Sequence, residues 1–590
     1  MAHEEKNSEA AAKKTGVKLG LALSGGGFRA SFFHIGVLAQ MAQLGLLRRV
    51  EVISTVSGGS IIGALYYLHV KRLLESKSDG EITDRDYQRL IEKIEEDFLR
   101  GVQQNLRMRT FLNPLKTIRM ALANYSRSDR IGELYDDYFY RPVIDSGRSG
   151  PIEMRELKIQ PKGAEAEFNP QNSNSGRSAK VPILLLNATC LNTGHNWRFE
   201  AVRMGEPPRS SRTAEEIDKN MRLRRPPSYD AIIPKQQNIE LGLAVAASAS
   251  VPGLFTPLAI SDLYPDHIRV QLVDGGVHDN QGIQGLIDLA CSHFIVSDAS
   301  GQMHDEESPS TQPFSILGRT NSVLMDRVRE EEMFRLYQKE KPVAFMHLLK
   351  GLPGRAVSWI GPDGRPAEPI KKERQPDPPP ESFGVASEVQ ELLSNIRTDL
   401  DSFTDVEAYS LMLDGYRMSG AEFQKTKKIQ ELVSTENFSF PLNHRFLRLA
   451  PWMEKPSPAY LKQLRVGSGQ VLKIFRLSLP VTVVTGIAVG FLFFGLWKQS
   501  GPWIREQLAR PITLGGLLMT VGMIALGFVP LLSRASNAFR FFRSPLEYAV
   551  RFVVRALLPA LGSIFVAIHL FIFDRLFLRQ GKVERLKPPG

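Results

Sequence analysis

The stretch that decides the fold is "LALSGGGFRASFFHIGVL", Leu21–Leu38. Its apolar start is typical of a buried strand and stops at Ser24, three glycines follow, and an amphipathic run begins at Phe28. A strand that breaks on glycines and continues directly into a helix presents main-chain N–H groups at the helix N-terminus, where they bind anions. The sequence therefore predicts an anion-binding turn. The anion is either the phosphate of a dinucleotide or an oxygen that becomes negative during a reaction.

The dinucleotide alternative rests on residues 25–30. "GGGFRA" matches the loose pattern G-x-G-x-x-[G/A] between a strand and a helix. A dinucleotide site would also need an acidic residue at the end of the next strand. Glu51 lies near the required distance, but it opens that strand instead of closing it. A nucleotide-binding oxidoreductase therefore stays an alternative, which binding of a nicotinamide cofactor would support.

Strand-like runs alternate with helical patterns from Val17 to about Ala299. The apolar runs are "VKLGLALS", "VEVISTVS", "VPILLLNATC", "RVQLVDGG" and "HFIVSDAS", and each ends in Gly, Ser or Cys. This alternation predicts an α/β fold in which a mostly parallel sheet carries helices on both faces.

The second predicted strand ends at a serine in a tight turn. "TVSGGS", Thr55–Ser60, lies between that strand and the helical pattern "IIGALYYL". A serine held between a strand and a helix by small residues is a nucleophile elbow, whose usual form is G-x-S-x-G. Thr55 stands in place of the first glycine, and Gly59 supplies the second. The pattern predicts that Ser57 is a nucleophile.

A serine nucleophile needs a base and a set of hydrogen-bond donors for the oxyanion. "LVDGGVHDNQG" offers Asp274 at the end of a strand, followed by Gly275 and Gly276. In this interpretation the glycines at 25–27 bind the oxyanion, while Arg29 holds their loop or adds positive potential. Histidines are the alternative bases: His278, His293, His304, His347 and His444. None of them lies in a signature turn, so direct catalysis by Ser57 and Asp274 is the simpler hypothesis.

Together, these motifs resemble those of the patatin-like phospholipase family, which is related to cytosolic phospholipase A2. The resemblance is carried, over roughly the first 300 residues, by "SGGGFRASFFHIGVL", "STVSGGSIIGAL", "AVAASASVPGLFTPL" and "LVDGGVHDNQG". It implies an α/β/α sandwich that hydrolyses acyl esters of glycerophospholipids or acylglycerols without a metal or a cofactor.

The resemblance also implies a role for particular residues. Ser57 would be the nucleophile and Asp274 its base, with no histidine. The oxyanion hole would be formed by Gly25, Gly26 and Gly27, with Arg29 beside it. The "SVPGLF" segment would line the acyl pocket.

The C-terminal part of the chain contains uncharged apolar runs. Leu477–Trp497 and Pro511–Leu532 carry no charge, and Ala556–Phe573 is polar only at Ser563 and His569. A membrane-spanning helix needs about 20 apolar residues, so the sequence predicts two or three transmembrane helices. The arginine-rich stretch Arg534–Arg555 is either an interfacial helix or a cytoplasmic loop.

The resulting prediction is a membrane-anchored serine acyl hydrolase whose catalytic part lies in the cytoplasm, because basic residues flank the first span. The net charge of +11 suits an anionic membrane surface, and no nucleic acid is expected. The alternatives are a lipid transacylase with the same two residues and an inactive membrane scaffold. The predicted segments are a flexible tail over 1–16, a catalytic domain over 17–352 with mobile insertions near 161–180 and 203–227, a Pro-rich linker over 353–383, a helical extension over 384–470 that packs on the catalytic domain, and a membrane module over 471–590.

Overall fold

The computed structural model describes residues 16–120, 125–144, 147, 150–165, 167–208, 217–300, 303, 305–353, 383–434, 443–509, 553, 556 and 558–587. These residues form two compact units. The first unit contains the residues up to Arg107, Arg127–Gln470 and those from Leu578 onward. The second unit contains Met108–Ser126 and Val471–Phe577.

A nine-stranded sheet organises the first unit. Its strands are β1 Leu19–Leu23, β2 Val50–Val56, β3 Ile183–Cys190, β4 Asn196–Phe199, β5 Met204–Gly205, β6 Leu258–Ile260, β7 Val270–Asp274, β8 His293–Asp298 and β9 Val343–His347. The main order is β5-β4-β3-β2-β1-β8-β9, and β7 pairs with both β3 and β6. Neighbours from β3 to β9 in this order are parallel, whereas β4, β5, β6 and β7 pair in antiparallel fashion. The predicted mixed α/β fold with a central sheet is confirmed.

Helices cover both faces of the sheet. The first unit contains nine helices of eight or more residues among those described, and one shorter helix, α6, that contributes to its core. They are α1 Gly27–Gln43, α2 Gly58–Ser76, α3 Asp84–Val102, α4 Arg127–Tyr135, α5 Leu241–Ser248, α6 Ile283–Asp288, α7 Pro313–Gln338, α8 Ser387–Ser394, α9 Asp405–Lys425 and α10 Pro458–Val466. Shorter helices are Leu106–Arg109, Pro114–Arg119, Arg141–Ile144, Pro170–Ser173, Pro234–Gln237, Lys427–Gln430, Ala450–Glu454, Lys473–Leu477 and Arg575–Gln580.

The period of two along the central strands divides the core between the two faces. Leu21, Leu23 and Ile53 belong to the larger core, which α1 and α2 cover. Ala22 and Val52 belong to the smaller core, which residues of α6 and α7 complete from the other side. Both faces of these strands are therefore dry, which explains why their sequences read as nearly continuous apolar runs.

The helical extension packs directly on α1. Gly36 of α1 has no room for a Cβ atom against the carbonyl oxygen of Met412 in α9, and Gly415 of α9 has none against that of Phe33. Two helices that meet through glycines can bring their backbones unusually close. Residues 354–382 of the predicted linker lie outside the described residues.

Two segments that the sequence predicts as mobile insertions form defined contacts in the structure. The region 161–180, predicted as a mobile insertion, contains buried Phe168 and Ala179, and the Asn174 side chain accepts a hydrogen bond of 2.9 Å from Val181 N–H. The two ends of 203–227 are joined by a hydrogen bond from Glu206 N–H to Leu223 O. Residues 209–216 between them lie outside the described residues.

The predicted membrane module, 471–590, and the second unit have different C-terminal ends. Residues from Leu578 onward belong to the first unit. There the Val406 N–H donates to Gly581 O at 3.1 Å and the Gln463 side chain donates to Gln580 O at 2.9 Å.

The second unit contains α11 Leu479–Ala509 and α12 Leu558–Ile568, and α12 is followed by a π-helical turn, His569–Asp574. The Ser563 hydroxyl of α12 donates to Phe111 O at 2.6 Å. Within the described part of the chain, no helix combines the length and the apolar character needed to cross a bilayer. The predicted span Pro511–Leu532 and most of Arg534–Arg555 fall outside that part.

Candidate active site

Ser57 occupies a strained turn between β2 and α2. Its φ and ψ angles are 49° and −116°, a conformation that side chains other than glycine rarely adopt. Ser57 directly precedes α2, and 6% of its surface is exposed. Gly59 has no room for a Cβ atom against the carbonyl oxygen of Leu23, so the turn approaches β1 closely. This is the geometry of a nucleophile elbow.

Thr55, which replaces the first glycine of the usual elbow, is fully buried beneath the turn. Its hydroxyl donates to Leu185 O at 3.0 Å and lies 2.9 Å from the Ser60 hydroxyl. A Cβ atom on Gly63 would lie 2.6 Å from the Thr55 methyl group. The threonine is accommodated because Gly63, one turn into α2, leaves space for it.

Ser248, at the end of α5, supports the elbow from below. The main-chain N–H of Ser57 donates to the Ser248 hydroxyl at 3.1 Å, and the Ser60 hydroxyl lies 2.8 Å from it. Ser248 in turn donates to Asn187 O at 2.6 Å. Ser248 lies within the motif "AVAASASVPGLFTPL" and Asn187 within a predicted strand, but neither residue type in such a context indicates a role in supporting the elbow.

The strand register brings Asp274 to the elbow. β2 lies along one edge of β3 up to the pair Val56–Asn187, while β4 occupies the other edge. β7 runs antiparallel to β3 and pairs Asp274 with Ala188, the next residue of β3. β2 and β7 therefore meet end to end along the same edge of β3. The prediction placed Asp274 at the end of a strand beside Ser57, but this strand arrives from the opposite direction.

Asp274 is a buried carboxyl group, and one of its two oxygens accepts a main-chain hydrogen bond. Oδ1 accepts a hydrogen bond of 2.8 Å from Gly276 N–H. Oδ2 is buried and accepts no hydrogen bond of standard geometry from the described residues. Burial raises the pKa of Asp274 from its ordinary value of 3.8 to about 6, while Gly276 N–H and the nearby Ser57 hydroxyl lower it. At neutral pH this group is a carboxylate with an oxygen available near Ser57.

The glycine loop lies against the elbow, and two of its three amides are available. A Cβ atom on Gly25 would lie 3.2 Å from Ser57 Cβ. Gly26 and Gly27 have φ angles of 127° and 57°, which favour glycine. Their N–H groups have no acceptor among the described residues, whereas Gly25 N–H donates to Asn280 O at 3.0 Å. In this structure the Gly25 amide is thus already hydrogen-bonded, and the oxyanion role of Gly25 stays a prediction.

Arg29 does not face the oxyanion position. Its guanidinium donates to Ala299 O at 3.2 and 3.1 Å, to Ser394 O at 2.9 Å and to Ile396 O at 2.7 Å. Burial lowers the pKa of Arg29 to about 10, and the negative charge of Asp298 opposes this effect. Of the two predicted roles, the structure supports the one that holds the loop.

Two helix N-termini point to the same place. α1 begins at Gly27 and α2 at Gly58, and Gly58 has no room for a Cβ atom against the Gly27 carbonyl oxygen. Gly58 N–H also has no acceptor among the described residues. The first N–H groups of a helix have no partner inside it and carry partial positive charge. The site can therefore stabilise a negative oxygen next to Ser57.

The "SVPGLF" segment forms an exposed turn next to Asp274. The Ser250 carbonyl oxygen accepts a hydrogen bond of 2.9 Å from Asp274 N–H. Beyond it, Val251 and Leu254 are 39% and 61% exposed, and Val277, which follows the two glycines after Asp274, is 39% exposed. In this structure Val251 and Leu254 form an apolar rim at the surface. The acyl pocket that the resemblance implied for this segment stays a prediction.

The predicted histidine alternatives do not reach the site. No histidine in the described ranges forms a hydrogen bond with Ser57 or Asp274; His304 lies outside those ranges. His444 contacts Glu95, and His293 contacts Ser292. His34 on α1 is fully buried between Ser297 and Ser24 O.

Comparison with known proteins gives a family for the region that holds the site. Residues 21–287 match the model of the Patatin family, whose description is "Patatin-like phospholipase". No curated protein sequence matches the chain. The family match supports the predicted enzyme class, a lipid acyl hydrolase.

Solved structures with similarity to this chain include human GIVD cytosolic phospholipase A2, at 13% identity over 70% of this chain and 62% of that one, with a TM-score of 0.35. Its complex with methyl gamma-linolenyl fluorophosphonate aligns at 14% identity over 73% of this chain and 60% of that one, with a TM-score of 0.36. VipD from Legionella pneumophila aligns at 12% identity over 96% and 91% of the two chains, with a TM-score of 0.26. The chain thus spans about three fifths of the human enzyme. Residues 21–287, which are less than half of this chain, are thus similar in sequence to the patatin-like phospholipase family.

Proposed function

We propose that this chain is a serine hydrolase of lipid acyl esters in which Ser57 and Asp274 act as a dyad. The observation that carries the proposal is the meeting of the Ser57 turn with a buried carboxylate whose Oδ2 accepts no standard hydrogen bond from the described residues. The family match of residues 21–287 supports the substrate class.

In the acylation step, the Ser57 hydroxyl attacks the ester carbonyl carbon and transfers its proton to Asp274. The carbonyl oxygen becomes an oxyanion, which the N–H groups of Gly26, Gly27 and Gly58 would bind. The C–O bond to the alcohol part of the lipid then breaks, and Asp274 returns the proton to that alcohol. An acyl ester of Ser57 remains.

In the second step, water attacks the acyl ester of Ser57 and Asp274 accepts the proton of the water. Collapse of the second oxyanion releases the fatty acid, and the proton returns to Ser57. A carboxylate with a pKa of about 6 suits this role, because it is charged at neutral pH yet holds a proton more readily than an ordinary aspartate.

The rim around the site supports a lipid substrate. Val251, Leu254 and Val277 expose apolar surface close to Asp274, and the Arg127 guanidinium donates a hydrogen bond to Leu254 O. Apolar side chains beside a cation suit contact with acyl chains and anionic headgroups. Attachment to a membrane through the uncharged run Pro511–Leu532 remains a prediction from the sequence, since this run lies outside the described residues.

Incubation of phospholipid vesicles with the enzyme in ¹⁸O-labelled water, followed by lipid mass spectrometry, tests the proposal. We expect lysophospholipid and a free fatty acid that carries one ¹⁸O atom, and neither product from Ser57→Ala. Transfer of the acyl group to another alcohol without ¹⁸O would favour the transacylase. Unchanged lipids with the wild type would favour the inactive scaffold and contradict the proposal.

A further inference from the structure

A segment outside the family match lies directly on the glycine loop. We call Ser394–Leu400 the strap; it connects α8 to the residues before α9. Asp399 O accepts a hydrogen bond of 3.1 Å from Phe28 N–H, in the first turn of α1. A Cβ atom on Gly27 would lie 2.9 Å from Asp399 O and from the carbonyl carbon of Thr398. The strap therefore covers the outer side of the loop without a gap.

Arg29 ties the strap to the sheet. Its guanidinium donates to Ser394 O and Ile396 O on one side and to Ala299 O, directly after β8, on the other. These bonds fix the strap relative to the end of β8. They also fix it relative to Gly26, because a Cβ atom on Gly26 would lie only 2.6 Å from the same Ala299 O.

Arg107 holds the outer side of the strap. Its main-chain N–H donates to Leu400 O at 3.1 Å, and its guanidinium forms an ion pair with the Asp399 carboxylate. The same guanidinium donates to Gln470 O at 2.6 Å. Arg107 and Gln470 are also the two residues after which the chain leaves the first unit.

We propose that the strap is a positioning element of the oxyanion hole and that Arg107 is its positioning residue. The physical reason is the flexibility of glycine: Gly26 and Gly27 have many accessible conformations unless their neighbours restrict them. Oxyanion donors stabilise a transition state only when they are held in place before the reaction. The strap supplies this restraint through Phe28 N–H and Arg29. The inference rests on the proposed function.

One consequence is that residues 21–287 are insufficient for full activity, since the strap belongs to the helical extension. A second consequence concerns the kinetic signature. Loosening the oxyanion donors weakens an interaction that forms in the transition state, so kcat falls while KM changes little.

The test compares full-length Arg107→Met with Arg107→Lys and with Arg417→Met. Arg417 is a matched control, because its guanidinium also bridges a main-chain carbonyl, that of Gly384, and a carboxylate, that of Glu454. The probes are a soluble p-nitrophenyl acyl ester and a fluorophosphonate, whose fluoride leaves as the serine oxygen binds phosphorus.

We expect Arg107→Met to lower kcat and the rate of Ser57 labelling by at least about tenfold, with KM within about twofold. Arg107→Lys should recover part of the loss, and Arg417→Met should match the wild type. Should Arg107→Met fail to fold, Asp399→Asn removes the same ion pair and carries the same expectation. Equal labelling of Arg107→Met and Arg417→Met would overturn the inference alone, whereas a wild type without a Ser57 adduct would overturn the proposed function and the inference with it.

Discussion

The main-chain N–H of Ser57 donates a hydrogen bond of 3.1 Å to the hydroxyl of Ser248, a residue 191 positions later in the chain. The nucleophile turn is thus supported by α5, the helix that leads into the "SVPGLF" segment. Because Ser250 O also accepts from Asp274 N–H, the end of α5 contacts the main chain of both proposed catalytic residues.

Removal of the Ser248 hydroxyl should loosen the elbow. In Ser248→Ala the buried N–H of Ser57 loses its acceptor, which costs about 1–3 kcal/mol of stability. We expect this decrease in urea unfolding, together with slower fluorophosphonate labelling of Ser57. Ser250→Ala is the control, because the Ser250 side chain donates to Ala246 O and contacts neither Ser57 nor Asp274. Equal labelling rates for the two variants would contradict this account of Ser248.

The strain at Ser57 should appear as a gain in stability when it is relieved. Both Ser57→Gly and Ser57→Ala lose the hydroxyl and should be inactive, but only glycine adopts φ 49° and ψ −116° without strain. Relief of about 1–3 kcal/mol, less the entropic cost of glycine of about 0.5–1 kcal/mol, leaves a net gain of the order of 1 kcal/mol. Thermal unfolding of the pair measures this difference. An alanine variant as stable as the glycine variant would show that the turn stores no strain.

The raised pKa of Asp274 predicts a pH-dependent cost of burial. Below pH 3.8 the carboxyl is neutral in the folded and unfolded states, so its burial carries no charge penalty. As the pH rises to about 6, the unfolded carboxyl ionises first, and the stability of the folded state decreases. Asp274→Asn lacks this titration. Its free energy of unfolding should exceed that of the wild type by about 2–3 kcal/mol above pH 7 and by little near pH 4. Denaturant unfolding across this range checks the sign; a stability difference independent of pH would refute it.

The apolar rim predicts a difference between lipid and soluble substrates. In Leu254→Asp a charge replaces an exposed leucine, so contact with vesicles should weaken and vesicle hydrolysis should fall by about tenfold or more. Hydrolysis of a soluble short-chain ester should change little. The control is Val17→Asp, since Val17 is also exposed but precedes β1, at the opposite end of the parallel strands. If Leu254→Asp lowered the hydrolysis of both substrates equally, or if Val17→Asp lowered vesicle hydrolysis as much, the rim would not be a lipid-contact surface.

Local patterns in the sequence predicted the parts of the site that a single strand-turn-helix unit determines. The glycine loop after β1 and the Ser57 turn after β2 follow from apolar runs, small residues and the start of a helix. Asp274 was placed correctly at the end of a strand, yet the direction of β7 was not predictable, because the register of a strand depends on pairing with residues far away in the chain.

The long-range contacts of the site could not be predicted from the sequence for the same reason. Nothing in the sequence near Arg29 indicates that its guanidinium donates hydrogen bonds to the carbonyl groups of Ser394 and Ile396, more than 360 residues away. The use of the Gly25 amide by Asn280 O likewise depends on how two loops meet. The apolar composition of the C-terminal runs predicted spanning helices, which the described helices do not support.

The pH dependence of fluorophosphonate labelling tests the Ser57–Asp274 dyad most directly, with the adduct located by peptide mass spectrometry. We predict a single adduct on Ser57, a rate that rises as the pH passes about 6 in the wild type, and a rate at least about 10² lower in Asp274→Asn. An adduct on another residue, or an Asp274→Asn variant that reacts as fast as the wild type, would contradict the dyad.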